Sequence, residues 1–320
     1  MWQIISGIYM GWALGSNDAA NVFGTAVSSR MLRFWTAASL CAVFALIGAL
    51  VEGGAGMKTY SALSSTSLDT AFLVGLGAAL TVTGMTSLRL PVSTSQAVVG
   101  ALIAIGTAPV LVGTATTANV QLDVLGKVVA CWVGTPIGAL VAAVVLYVVI
   151  GQLMNRLALN VFQYDRLLRM AQIVAGSYGA YALGANNVAN VTGPFTGPGM
   201  LSVPAACLVG GLAIAAGSLT FSRGVMMTVG RGLVKLDAYS AFIVILAEGV
   251  TVHAYAVLGV PVSTSQAVVG GVLGIGIVKG ARTVNRRTLR NILLAWISTP
   301  TVSFLVTLAG YVVAHEVGWL

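Results

Sequence analysis

The ten residues PVSTSQAVVG, Pro91 to Gly100, return without a change as Pro261 to Gly270, so four consecutive polar side chains are kept twice inside very apolar sequence. Other marks repeat with them. GSNDAANVFGT (Gly15 to Thr25) matches GANNVANVTGP (Gly184 to Pro194) at an offset of 169, and the decapeptide repeats at an offset of 170. AFLVGLGAALTVT (Ala71 to Thr83) aligns with AFIVILAEGVTVH (Ala241 to His253), and WVGTP (Trp132 to Pro136) echoes WISTP (Trp296 to Pro300). The order is the same in both halves, which reads as an internal duplication. A first repeat over 1–151 and a second over 167–320 are expected, joined by a short cytoplasmic connector at 152–166.

The chain has 320 residues, 58% hydrophobic and only 8% charged, with a mean hydropathy of +0.95. A soluble domain carries roughly 25% charged residues, so this composition specifies an integral membrane protein. Trp35–Val51, Val128–Ile150, Pro204–Leu219 and Ile292–Ala314 approach the about 20 apolar residues that a helix needs to cross a bilayer. Long apolar runs replace the ten-residue alternation of an outer-membrane barrel, so the spans are helical. Glycine, 39 residues mixed with Ala and Ser, fits close helix packing in lipid. Cys41, Cys131 and Cys207 share no metal-ligand spacing and read as packing residues. Trp2 to Leu14 has no basic stretch before it and leads into a polar motif, so it reads as part of the first span and not as a cleavable leader. The formal charge of +8 is assigned to cytoplasmic loops and not to nucleic acid.

After each STSQ the apolar leg, Ala97 to Thr107 or Ala267 to Val278, covers only about half the membrane at 1.5 Å per residue. A re-entrant hairpin is therefore expected. Each half then holds a broken first span, a second span, a hairpin and a third span; three crossings are odd, which inverts the second half relative to the first. With both termini outside, the cytoplasmic segments collect most of the basic residues, from Arg30 and Arg33 through Arg156, Arg166 and Arg169 to Arg290; Lys58 and Lys127 fall outside, and Arg89 sits in the first hairpin. If each hairpin crossed fully, Arg156, Arg166 and Arg169 would move outside, against the positive-inside tendency.

In this topology Ser93, Thr94, Ser95 and Gln96 enter from one face and Ser263, Thr264, Ser265 and Gln266 from the other, meeting near mid-membrane. Each tip opens a helix whose N-terminal N–H groups and partial positive charge suit a tetrahedral oxyanion. Serine and threonine bonding their own backbone is the plainer reading, and ten identical residues in two copies weigh against it. The second motif puts Asn17, Asp18 and Asn21 in one apolar span and Asn186, Asn187 and Asn190 in the other. Their oxygens, with the carbonyls of a broken helix, are hard ligands suited to Na⁺. Asp18 at mid-membrane is a functional candidate by default, whereas the Asn residues have helix-to-helix bonding as an alternative. Glu52 and Glu248 are candidate coupling carboxylates, although Glu52 at the end of a span could equally face water. His253 reads as a packed or bonded side chain rather than a proton relay. Arg89 has two readings, anion steering and hairpin stabilisation. No transition-metal site and no cofactor are expected. Neither motif contains Lys or Arg, so an anion there needs an accompanying cation, and symport follows more naturally than an anion channel.

At these residues the sequence resembles the inorganic phosphate transporter (PiT) family, with its duplicated G-x-N-D-x-A-N signature and PVST-type tip downstream. The resemblance covers nearly the whole chain. It implies symport of inorganic phosphate with Na⁺ or H⁺, an inverted-repeat fold in the cell membrane and often a homodimer. It further implies that Asp18, Asn21 and Asn190 help bind cation or substrate, that the STSQ tips bind phosphate, and that Glu52 and Glu248 match carboxylates important in relatives. Two departures stand out. Asn187 replaces the usual Asp of the second copy, which changes the charge available for coupled cations. Gln96 and Gln266 stand where many relatives have His, which favours Na⁺ over H⁺. Animal members carry a long hydrophilic central domain where this chain has only Gln152 to Asp165, so the chain looks prokaryotic. Some members carry sulfate, making a sulfate permease the nearest rival. An intramembrane serine hydrolase is disfavoured, because both histidines, His253 and His315, lie in one half while STSQ occurs in both.

Overall fold

The computed structural model describes residues 2–28, 30–64, 66–88, 92–197, 200–229, 236–280 and 286–320. Arg89, one of the sequence-stated candidates, lies outside the described residues. Those residues form α1 (Ile4–Ser28), α2 (Phe34–Glu52), α3 (Gly54–Leu63), α4 (Leu68–Ser87), α5 (Thr94–Leu111), α6 (Leu122–Arg156), α7 (Val161–Thr192), α8 (Val203–Thr220), α9 (Ser222–Val229), α10 (Ala238–Val257), α11 (Thr264–Lys279) and α12 (Arg286–Glu316). One 3-10 turn, Gly193–Phe195, follows α7. No strand occurs among the described residues. Seven of these helices, α2, α4, α5, α6, α8, α10 and α12, are long and apolar enough to cross a membrane. The motif helices α1 and α7 are not among them, because Gly, Ser, Asn and Asp dilute their apolar runs.

Several expectations change. The first span of each half is not broken: α1 runs unbroken through Gly15 to Asn21, and α7 through Gly184 to Asn190. No proline interrupts either motif, and the polar side chains bond one another, leaving the helical ladder intact. The legs after STSQ are also longer than their apolar cores. Helix α5 has 18 residues and α11 has 16, about 27 and 24 Å long. The loop between α6 and α7 spans only 157–160, so most of the expected connector is helical. Cys41 and Cys207 are buried, Cys131 is half-buried, and all three are free.

The main packings between helices recur with the halves exchanged. Helix α1 packs on α8 as α7 packs on α2, and α5 packs on α12 as α11 packs on α6. Gly15 leaves no room for a Cβ against the Ile214 carbonyl; its equivalent Gly184 does the same against Ala45. Gly100 lies on the Pro300 carbonyl and Gly270 on that of Pro136. Small residues thus let backbones approach at matched places in both halves.

Directions follow from which residues meet. Gly7 faces Phe195, Gly11 faces Val191, Val22 covers Gly179 and Phe23 covers Gly176. Numbers rise along α1 as they fall along α7, so these equivalent helices are antiparallel. Along α4 the Gln3–Asp69 and Tyr9–Thr83 bonds run in the same sense as α1. After α5 the Gln121 N–H donates to the Leu63 carbonyl at 3.0 Å, so the chain returns beside the start of α4. In the second half Lys279, at the end of α11, pairs with Asp237, the N-cap of α10. Both STSQ segments are thereby folded into the interior.

Candidate functional site

Serine begins each tip helix. Ser93 and Ser263 are extended N-caps that accept from the Gln96 and Gln266 N–H groups at 3.4 and 3.3 Å, and each leaves its own hydroxyl hydrogen free to donate. The Ser93 and Ser95 hydroxyls are 3.4 Å apart, and those of Ser263 and Ser265 2.9 Å. Ser265 donates across to the Val92 carbonyl at 3.2 Å, so the tips touch one another.

Both tips meet α1 at one turn. Thr94 Oγ1 donates to Asp18 Oδ2 at 3.2 Å, and Asn21 Nδ2 donates to Thr264 Oγ1 at 3.3 Å. Asn17 Nδ2 donates to Asp18 Oδ1 at 2.8 Å, and Asn187 Nδ2 to Asp18 Oδ2 at 3.0 Å. Asp18 and Asn187 are equivalent positions of the duplication, so the two copies of the motif bond directly to each other. Asn186 ties the second tip down, donating to the Val262 carbonyl at 2.8 Å and accepting from its N–H at 3.2 Å. Its amide also reaches Asn187 Oδ1 at 2.6 Å, and Asn190 Nδ2 reaches that oxygen at 3.2 Å. A buried carboxylate needs partners, and Asp18, 1% exposed, has three donors here.

All the Asn, Asp, Ser and Thr candidates of the two motifs thus lie in or beside one cluster, with Gln96 and Gln266 at its edge. Gln96 Oε1 and Gln266 Oε1 are buried acceptors without a donor, again as an equivalent pair. Helix continuity removes the backbone carbonyls expected as ligands, which leaves side-chain oxygens to do that work. Glu52 is not in the cluster; it bonds His253 Nε2 at 2.8 Å. His253 is indeed a bonded side chain, since Tyr178 also meets its Nδ1 at 2.8 Å. Glu248 is buried on α10, and its Oε2 has no hydrogen-bond partner. Sequence reasoning missed Tyr60 on the short α3, whose hydroxyl donates to Asn190 Oδ1 at 2.5 Å. No motif or repeat marks that tyrosine. Among the described residues no group of three or more His, Cys, Asp or Glu side chains could hold a metal ion.

Residues 14–307 match the phosphate transporter family, a stretch that contains all four motif copies. The chain belongs to that family. It is a family of multi-pass membrane permeases and not of enzymes. Among its relatives, a protein named "Putative phosphate permease" of Methanocaldococcus jannaschii is 29% identical over 304 residues, covering 95% of this chain and 94% of the relative. A protein named as a sulfate permease of Bacillus subtilis is 27% identical over 315 residues, covering 95% and 85%. The fold is shared with a solved structure titled "The sodium-dependent phosphate transporter", with a TM-score of 0.88, 22% identity and 98% of both chains covered.

Proposed function

We propose that this phosphate transporter family member imports inorganic phosphate by Na⁺ symport through alternating access, with phosphate held between the STSQ tips and Na⁺ at the Asn and Asp groups beside them. The observation that carries the reading is the convergence of both tips on one turn of α1, through Thr94 on Asp18 and Asn21 on Thr264. An oxyanion between two helix N-termini finds N–H and hydroxyl donors and no formal positive charge. Asp18 supplies a negative charge that a co-transported cation offsets, bringing cation and anion in together. Asn17, Asn21, Asn186, Asn187 and Asn190 supply hard oxygens, and Gln96 and Gln266 supply acceptors that do not titrate. Glu248 is the better placed of the two coupling-carboxylate candidates, being buried in the bundle.

Antiparallel α1 and α7 support an inverted repeat. The Gln121–Leu63 bond, which joins the segments flanking α4–α5, and the Lys279–Asp237 pair, which joins the two ends of α10–α11, support re-entrant α4–α5 and α10–α11 units. Three crossings per half then put both termini outside in the cell membrane, with Arg30, Arg33, Arg156, Arg166, Arg169 and Arg290 inside. The homodimer belongs to the same family-based reading, and light scattering in detergent measures it.

Uptake of radiolabelled phosphate into proteoliposomes under an inward Na⁺ gradient, an inward H⁺ gradient and neither tests the proposal. Uptake driven by Na⁺ alone is expected. Uptake driven only by H⁺ overturns the coupling ion, and flux that persists without a cation gradient indicates an anion channel. The sulfate permease among the relatives makes sulfate the second reading, and competition by arsenate but not by sulfate selects phosphate.

A further inference from the structure

Away from the tips, the two halves differ sharply in polarity at one matched place. On the first side, Tyr9 donates to Thr83 Oγ1 at 2.9 Å, and Phe221 packs on Trp12 with ring centroids 5.1 Å apart. Exchanging the halves turns Tyr9 into Tyr178, Thr83 into His253, Phe221 into Glu52 and Trp12 into Tyr181, at offsets of 169 and 170. There the imidazole is held between Tyr178 at Nδ1 and Glu52 at Nε2, both at 2.8 Å, with the Tyr181 ring edge-on at 5.5 Å. A neutral contact in one half is an acid–base contact in the other.

This arrangement satisfies both protonation states. In the neutral Nε2–H tautomer His253 donates to Glu52, and the Tyr178 hydroxyl donates into Nδ1. A proton added at Nδ1 makes the ring cationic, the Tyr178 oxygen becomes its acceptor, and the Glu52 contact becomes an ion pair. Glu52 borders an open cavity of about 430 Å³ lined also by Val51, Gly54, Ala55, Ala256 and Val257, through which a proton can arrive. The titratable groups facing the ring are Glu52 from α2 and Tyr178 and Tyr181 from α7. Among the described residues, α1, α3, α6 and α11 put no charged side chain in hydrogen-bond, ion-pair or ring contact with it. His253 stands on α10, the leg of the second hairpin, ten residues before Ser263.

We propose that Glu52, His253 and Tyr178 form a proton-binding site, separate from the tips, that latches the second hairpin to α2 and α7. The charged ring strengthens the contact, so the latch is tighter when the ring carries a second proton and looser when it is neutral. The first hairpin has no counterpart, so protons act on one side of the transport cycle. The effect on uptake rests on the transport reading; the effect on helix separation does not.

The test places spin labels at Val51→Cys and Val257→Cys in a Cys131→Ala background, in liposomes between pH 8 and pH 5. The ratio of short to long distances should rise about five-fold in acid, the size of a partly exposed ion pair. It should stay flat in His253→Thr, which installs the residue of the other half, and in Glu52→Gln, which keeps the shape and removes the charge. Phosphate uptake should fall in acid for the wild type and lose that His-dependent part in both variants, which separates the latch from the titration of phosphate itself. Distances independent of pH in the wild type, or an unchanged pH dependence in Glu52→Gln, overturn the latch; should His253→Thr not fold, Glu52→Gln decides. If no uptake occurs at all, the transport reading falls and the distances still decide the latch.

Discussion

Asp18 and Asn187 occupy the same place in the two copies of the motif, yet one is a carboxylate and the other its amide. They meet at 3.0 Å, Asn187 donating to Asp18. Two carboxylates at that separation would repel, and one would have to take up a proton or a cation. The amide converts repulsion into a hydrogen bond while keeping an oxygen for Asn186 and Asn190 to reach. Duplication therefore builds two matching walls, and the position where they differ sets the charge between them.

The largest expected effect comes from erasing that difference. Asp18→Asn removes the charge at which three donors converge, each such bond being worth about 1.5–3 kcal/mol, so Na⁺-driven uptake should fall more than about 100-fold. Na⁺ dependence like that of the wild type in this variant would break the assignment of Asp18. Thr94→Val should come next. It removes a donor to the carboxylate and leaves packing nearly unchanged, so phosphate binding measured by calorimetry should weaken about 10- to 100-fold.

Asn187→Asp makes the two walls alike. A second buried carboxylate beside the first calls for an additional cation or proton, so uptake at neutral pH should drop about tenfold and its dependence on Na⁺ concentration should steepen. An unchanged Na⁺ titration would mean that Asn187 plays no part in setting stoichiometry. Thr264→Val should weaken phosphate binding less than Thr94→Val, by about 2- to 10-fold, because Thr264 bonds the neutral Asn21 amide. Equal losses at the two threonines would show that the tips act alike and that the charge of Asp18 does not distinguish them.

Which parts of this could be read from sequence is itself unequal. The repeated motifs, the buried tips and two of the four bounded spans were legible, because apolar runs and repeated decapeptides are local signals; α2 and α8 were placed to within one residue at each end, whereas α6 runs six residues past its apolar run at both ends. The unbroken α1 and α7 were not. Polar residues in an apolar span suggest a break when their partners are unknown, and here those partners lie 76, 169 and 243 residues away in the chain. Tyr60 was invisible for the same reason, being 130 residues from Asn190 on a short helix. At their N-terminal ends the tip helices run past their apolar cores because Ser93 and Ser263 cap them and draw polar residues into the first turn.

The smallest expected effect concerns how each hairpin is closed at its base. The segments flanking the first meet through a backbone bond, Gln121 to Leu63, which no side-chain change removes. The second closes on the Lys279–Asp237 ion pair, whose side chains are 33% and 52% exposed. Burial pushes the Asp237 carboxyl up, but Lys279 and Ser240 outweigh it and hold it below its ordinary value. A depressed carboxylate stabilises the fold at neutral pH, and that contribution is lost as pH falls below about 4. Lys279→Ala should therefore destabilise by no more than about 1 kcal/mol at pH 7, with the difference from wild type shrinking in high salt and vanishing in acid. Thermal unfolding in detergent across salt and pH measures it. A loss that persists in salt would mean that the lysine stem, which passes over the Tyr147 ring with Nζ 6.0 Å from the ring centre, holds the base by packing, and the two hairpins would then be closed by equally salt-independent contacts.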